Sequence, residues 1–167
     1  MNVPFQDIPG HSRIWIFQSD RRLSSKEVKI VNDFLKAFTD RWLVHGRPVR
    51  ASFDVRFDHF VILAADEAYN APSGCSIDDS VRAIRELEGM LGTKLLDRQQ
   101  AAFLRDNEVI LIPLAQLKEK YAAGIWNEDT LSFNNLVTSK DQLETHWIVP
   151  AVQNWMKRYI AAPRVST

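Results

Sequence analysis

Cysteine is almost missing from this chain: Cys75 is the only one in 167 residues. No internal disulfide and no multi-thiolate zinc site can be built from it. Glycine is sparse too. The six glycines are scattered singly, and there is no G-x-x-x-x-G-K-[ST] phosphate loop, no G-x-G-x-x-G turn and no Gly-x-Ser-x-Gly elbow. Net charge is absent as well, with 21 Lys+Arg against 21 Asp+Glu, so no overall field draws the chain to nucleic acid or an anionic membrane. No apolar run approaches the length of a membrane span. The opening Met1-Asn2-Val3-Pro4-Phe5-Gln6-Asp7 lacks the basic stretch and apolar core of a secretory signal. These absences point to a cytoplasmic protein with no cofactor, no membrane association and no P-loop engine.

What is present is an ordinary globular composition, 46% apolar and 25% charged, enough for one domain over residues 1–167. Arg13 to Gln18, with Ile14, Trp15, Ile16 and Phe17, reads as a strand apolar on both faces. Ser24-x-x-Glu27 is a capping box that opens a helix. Val28, Val31, Phe34, Leu35, Phe38 and Trp42 then recur on one face, and His45-Gly46 with Pro48 ends the run. Val49 to Phe57 alternates as a half-exposed strand, Asp58-His59 turns, and Phe60 to Ala65 returns as a doubly buried strand. Ile77, Val81, Ile84, Leu87 and Leu91 mark a second helix, stopped near Gly92, followed by strands over 101–105 and 108–112 around an Asp106-Asn107 turn.

Residues 13–105 therefore read β-α-β-β-α-β, the ferredoxin-like order, an α+β core with an antiparallel sheet. The core is expected over 13–113 and a C-terminal helical extension over 114–163. In that extension, 114–122 reads as a short helix, 130–133 as a strand and Ser139-x-x-Gln142 as another capping box, while Pro150 opens a last helix bearing Val152, Trp155, Met156, Tyr159 and Ile160. The tail from Pro163 is expected to fray. Central strands that are apolar on both sides need a cover. The C-terminal third, with Trp126, Phe133, Trp147 and Trp155, is the expected one, and a second copy of the chain in a homodimer is the other.

Chemistry concentrates at Ser73-Gly74-Cys75-Ser76-Ile77-Asp78-Asp79, at the mouth of the second helix. Helix N-termini offer free N–H groups and partial positive charge, which favour anions and thiolates. Asp78 and Asp79 work against a thiolate, and Ser76 with Asp79 forms an N-cap pair. The favoured reading of Cys75 is packing beneath a capped helix. A ligand-binding turn of Ser73, Gly74, Cys75 and Ser76, and a reactive thiol, stay open. Asn134-Asn135 forms a second polar bend that would line the same site if the C-terminal third folds back. His11, His45, His59 and His146 stand at no metal-ligand spacing, and the sequence offers no catalytic set. Trp15, Phe17 and Phe60 lie on the strands that stack bases in RNA-binding sheets of this order, but the basic-Gly-aromatic run is missing, so nucleic acid is disfavoured.

Val3-Pro4-Phe5, the Arg13–Gln18 strand, Ala51-Ser52-Phe53, Ser73-Gly74-Cys75-Ser76-Ile77-Asp78, Asp129-Thr130 and Phe133-Asn134-Asn135-Leu136-Val137 together resemble a family of short bacterial proteins commonly labelled "ABC transporter ATPase". The resemblance spans nearly the whole chain. The Walker A loop, the acidic Walker B strand end and the Leu-Ser-Gly-Gly-Gln run that such a label requires are all missing. The resemblance thus implies no ATPase activity and carries over no catalytic residue. It implies that the Cys75 turn and the Asn134-Asn135 bend belong to one recurring design. The expectation is a non-enzymatic domain that binds a small ligand or a protein partner. A thiol-dependent enzyme or redox sensor using Cys75, and a single-stranded RNA binder, are the alternatives.

Overall fold

The computed structural model describes residues 1–160. The expected fraying of 163–167 lies outside them. The elements are β1 (Arg13–Gln18), α1 (Ser25–Arg41), β2 (Leu43–Val44), β3 (Arg47–Pro48), β4 (Ala51–Arg56), β5 (Phe60–Ala65), α2 (Gly74–Leu91), β6 (Gln100–Arg105), β7 (Glu108–Pro113), α3 (Leu117–Ala122), β8 (Leu131–Phe133), α4 (Lys140–His146) and β9 (Ile148–Pro150), with short 3-10 turns between. The class is α+β with antiparallel sheets. No helix among the described residues is long and apolar enough to cross a membrane. The chain divides into two compact units, one of residues 1–97 and 136–145, the other of residues 98–135 and 146–167.

The first unit holds a three-stranded sheet, β1-β5-β4. This reproduces the first-third-second strand order of the ferredoxin-like reading. The fourth strand of that reading does not join. Gln100–Arg105 pairs with β7 and β8 in the second unit. The free edge of β1 is instead taken by Thr138 and Ser139: Arg13 bridges Ser139 and the Ile14 amide donates to the Thr138 carbonyl at 3.0 Å. The outer edge of β4 is closed by a parallel bridge between Asn2 and Ala51. Both edges are thus blunted by single bridges rather than left as templates for further pairing.

β5 is buried at every position, as its unbroken apolar run requires. Its odd-numbered residues Val61, Leu63 and Ala65 join Phe17, Val31, Leu35, Phe38, Trp42, Ile84 and Leu87 in the core shared with α1 and α2. The opposite face is covered from within the same unit. On β4, Arg56 bonds Asp54 and, through Nη2, Glu144 of α4, both at 2.9 Å, and its guanidinium lies 5.4 Å from the Phe5 ring. Burial pulls the Arg56 pKa down, but the Glu144 and Asp54 carboxylates more than offset it, so the net direction is upward. Lys140 seals the same cover by donating to the Phe5, Gln6 and Ile8 carbonyls at 2.8, 3.2 and 2.8 Å.

Both long helices start where their sequence signals stand, with one shift. The Ser24–Glu27 capping box is formed. On α2 the box is Ser73 with Ser76, so the N-cap is Ser73 and not Ser76. Gly92 ends α2 in the left-handed region, φ 61°. His45-Gly46 does not terminate α1. That helix stops at Arg41, and the pair, with φ 50° and 75°, forms the tight turn between β2 and β3. The next hairpin turns through three residues, not two: Arg56 pairs Phe60, and Phe57 and Asp58 take positive φ.

The second unit is a four-stranded sheet, β7-β6-β8-β9, with Phe103, Leu117, Trp126, Ala151 and Met156 in its core. Segment 114–160 thus adds strands to a sheet and is not a purely helical extension. Among the described residues no α-helix follows Pro150, where two 3-10 turns form, Ala151–Gln153 and Trp155–Tyr159. Asn154 separates them in extended conformation, φ −114° and ψ 171°. Its buried amide accepts from the Trp155 N–H at 2.7 Å and donates to the buried Ser132 hydroxyl at 2.9 Å. Satisfying those groups outweighs one more helical turn.

Candidate functional site

The Cys75 turn is a helix cap that leaves its thiol in solvent. Cys75 is exposed and is the second residue of α2. The packing reading beneath the helix is therefore corrected. The residue beneath is Ser76, which is buried and whose hydroxyl accepts from the Ser73 N–H at 2.6 Å and donates to the Ser73 carbonyl at 2.8 Å. The Ser76 carbonyl accepts the indole N–H of Trp42 at 2.8 Å, tying the end of α1 to the start of α2. Gly74 has open space around it. Asp78 and Asp79 fall beyond the first turn, which carries no acidic residue, and Asp79 pairs with Arg82 at 2.8 Å.

Asn134 and Asn135 lie in the other unit, directly after β8. The Asn134 N–H donates to the Trp147 carbonyl at 2.6 Å, and the Asn135 side-chain oxygen accepts the Trp147 indole N–H at 2.9 Å. Trp147 is buried, its ring 5.0 Å from Phe133. The bend thus anchors a core tryptophan.

Among the histidines, His45 is exposed in its turn, but His59 is buried and not solvated. Its ring Nδ1 lies 2.9 Å from the Phe57 carbonyl, and its own carbonyl accepts from the Ser19 N–H at 2.7 Å. His11 is the one the sequence reading undervalued. Its Nε2 lies 3.1 Å from Asp66 Oδ1.

Asp66 sits one residue past the end of β5. Pairing of Arg13 and of Ala51 with Ala65 brings Ser12, Asp66 and Arg50 side by side at one end of the sheet, and the Asp66 N–H donates to the Arg50 carbonyl at 2.8 Å. The Asp66 carboxylate is 6% exposed, while His11 and Arg50 are 59% and 39% exposed. The carboxylate is inside, and the His11 and Arg50 side chains lie outside it. Asp66 Oδ1 also accepts from the Ala68 N–H at 3.1 Å, whereas Arg50 Nη1 stands 4.0 Å from Oδ2, beyond hydrogen-bond reach. The Arg50 guanidinium lies 5.8 Å from the ring of Tyr69, a half-exposed residue. Arg50 Nε and the Ser12 hydroxyl are buried without a hydrogen-bond partner among the described residues. Beside this row, Arg13 pairs with Glu67 at 3.6 Å.

No motif joins these residues along the chain. The one local signal was a carboxylate placed directly after a strand with no exposed position. Elsewhere in the first unit, Trp15 and Phe17 pack with the helices and Phe60 is buried. Among the described residues, no three His, Cys, Asp or Glu side chains are grouped to hold a metal ion. Comparison with protein-family models, curated proteins and solved structures found no match to this chain.

Proposed function

We propose that this chain is a non-enzymatic domain that binds a small ligand, seated against Arg50, His11 and Tyr69 at the end of the three-stranded sheet. One observation carries the reading. Arg50 is a half-buried cation whose donors engage no hydrogen-bond acceptor among the described residues, with Nε fully covered. Buried polar groups are ordinarily satisfied, and an unsatisfied one calls for a water or a ligand. A cytoplasmic setting belongs to the same proposal and rests on the free, exposed thiol of Cys75, which a reducing compartment keeps reduced.

The test is a thermal-shift screen of a metabolite library on wild type and Arg50→Gln. A ligand at 100 times its Kd stabilises by about 2.7 kcal/mol, or roughly 5–10 °C in Tm for a chain of this size. At least one compound is expected to shift wild type by this amount and Arg50→Gln by far less. Shifts equal in both proteins, or a partner protein that binds wild type and Arg50→Gln alike, would refute the site.

A second reading keeps Cys75 as a reactive thiol, favoured by its exposure. It expects rapid alkylation of the folded protein, with loss of a measurable redox response in Cys75→Ser. A thiol that reacts only in denaturant would end this reading. Single-stranded RNA is the weakest reading, because Trp15, Phe17 and Phe60 are committed to packing.

A further inference from the structure

Resting on that reading, we infer that the ligand carries an oxyanion, a carboxylate or a phosphate, and that Arg50 and His11 hold it from the solvent side of Asp66. The layering of charge argues this. Asp66, at 6% exposure, is the innermost group, and both His11 and Arg50 are more open to solvent than it is. A molecule arriving from water meets the two nitrogen-bearing side chains before it meets the carboxylate. The neighbouring Arg13–Glu67 pair contributes one charge of each sign and leaves the local balance to the row itself.

Asp66 orients both partners. Oδ1 holds His11 Nε2 at 3.1 Å and the Ala68 N–H at 3.1 Å, which leaves His11 Nδ1 as the ring's second position, a donor to an oxyanion only in the imidazolium form. The 4.0 Å gap to Arg50 means that the guanidinium is steered but not consumed. Its planar fork matches an oxyanion with two parallel N–H bonds.

The experiment is a titration of the full chain with inorganic phosphate, and separately with acetate, at constant ionic strength, followed by NMR of backbone amides and of the Arg50 Nε–H. The expected result is a saturable shift centred on Arg50, His11, Asp66 and Ala68 with at least one of the two anions. Phosphate alone or acetate alone identifies the source of the oxyanion. Arg50→Gln should weaken binding at least about tenfold, the scale of one charged hydrogen bond, and His11→Asn by a smaller factor. If Arg50→Gln fails to fold, His11→Asn carries the comparison, because its exposed ring can be replaced without opening the core. Shifts spread over surface lysines, or unchanged in both variants, would overturn the inference. If the metabolite screen yields Arg50-dependent ligands that are all neutral or cationic, the oxyanion is wrong and the site stands. If it yields no Arg50-dependent ligand, the site itself is wrong.

Discussion

Replacing Trp42 with phenylalanine isolates the bond that holds the Cys75 turn. Trp42 is buried at the end of α1, its ring 5.2 Å from Phe38 and 6.1 Å from Trp15. Phenylalanine keeps a ring in this aromatic group but removes the N–H that reaches the Ser76 carbonyl at 2.8 Å. That carbonyl remains an acceptor within α2, so it is not orphaned, and the lost bond costs about 1 kcal/mol. Loss of the second ring leaves a small cavity worth about 1–2 kcal/mol. The sum is about 2–3 kcal/mol. Because the chain has two compact units, a single unfolding transition is not assumed. The readout is native-state hydrogen exchange at Ile77, whose N–H donates to the Ser73 carbonyl. A local loss of about 2 kcal/mol speeds its exchange roughly 30-fold. A loss below about 0.5 kcal/mol, or faster exchange in α1 with none at Ile77, would refute the idea that this indole holds the turn.

Three further predictions test other joints. Glu27 is held down to a pKa of about 2 by its two-pronged pair with Arg21 and by the Ser24 N–H. Its contribution is therefore complete above the ordinary carboxylate range and is lost as pH falls toward 2. Glu27→Gln should flatten that part of an acid titration followed by circular dichroism, and an unchanged curve would contradict the assignment. A Cβ on Gly10 would collide with the exposed carboxylate of Asp141, the far end of a side chain that can swing aside, so Gly10→Ala should cost no more than about 1 kcal/mol. Adding Asp141→Ala should recover most of that in urea denaturation, and simple additivity would show that the clash is not the cause. Asn154→Ala leaves the Trp155 N–H and the buried Ser132 hydroxyl without its amide, at about 1–3 kcal/mol. A loss no larger than that of a surface substitution would mean that Asn154 is not what separates the two 3-10 turns.

What was legible in the chain was local. The Ser24–Glu27 box and the stop at Gly92 each depend on neighbours within a turn, and each stands as predicted. The half-exposed alternation expected of Val49 to Phe57 does not stand, because Ala51 and Ser52 are both buried and Phe53 to Arg56 are all half-buried beneath the cover on the second face. Pairing over distance was not legible. Gln100–Arg105 looks like any outer strand, and nothing within it tells that the edge of β1 will be taken by Thr138 and Ser139, or that its own partners will be β7 and β8. The same holds for chemistry. Ser73 and Ser76 were visible as a polar turn, and the structure shows them capping a helix. Asn135 was visible in a bend and holds an indole. His11, Arg50 and Asp66 have no spacing that marks them, because only strand register unites them.

The discontinuity of the first unit has a consequence for how the protein is made. Its final strip, 136–145, is synthesised only after the Arg98–Asn135 stretch of the other unit. At about 5–20 residues per second, the nascent chain waits roughly 2–8 s with β1 complete and its outer edge bare. During that interval the N–H of Ile14 lacks its Thr138 acceptor, and the Phe5, Gln6 and Ile8 carbonyls lack the Lys140 ammonium. The ribosome-bound intermediate is therefore the form of this protein most open to strand-seeking chaperones and to aggregation. Arrival of a ten-residue strip closes that window.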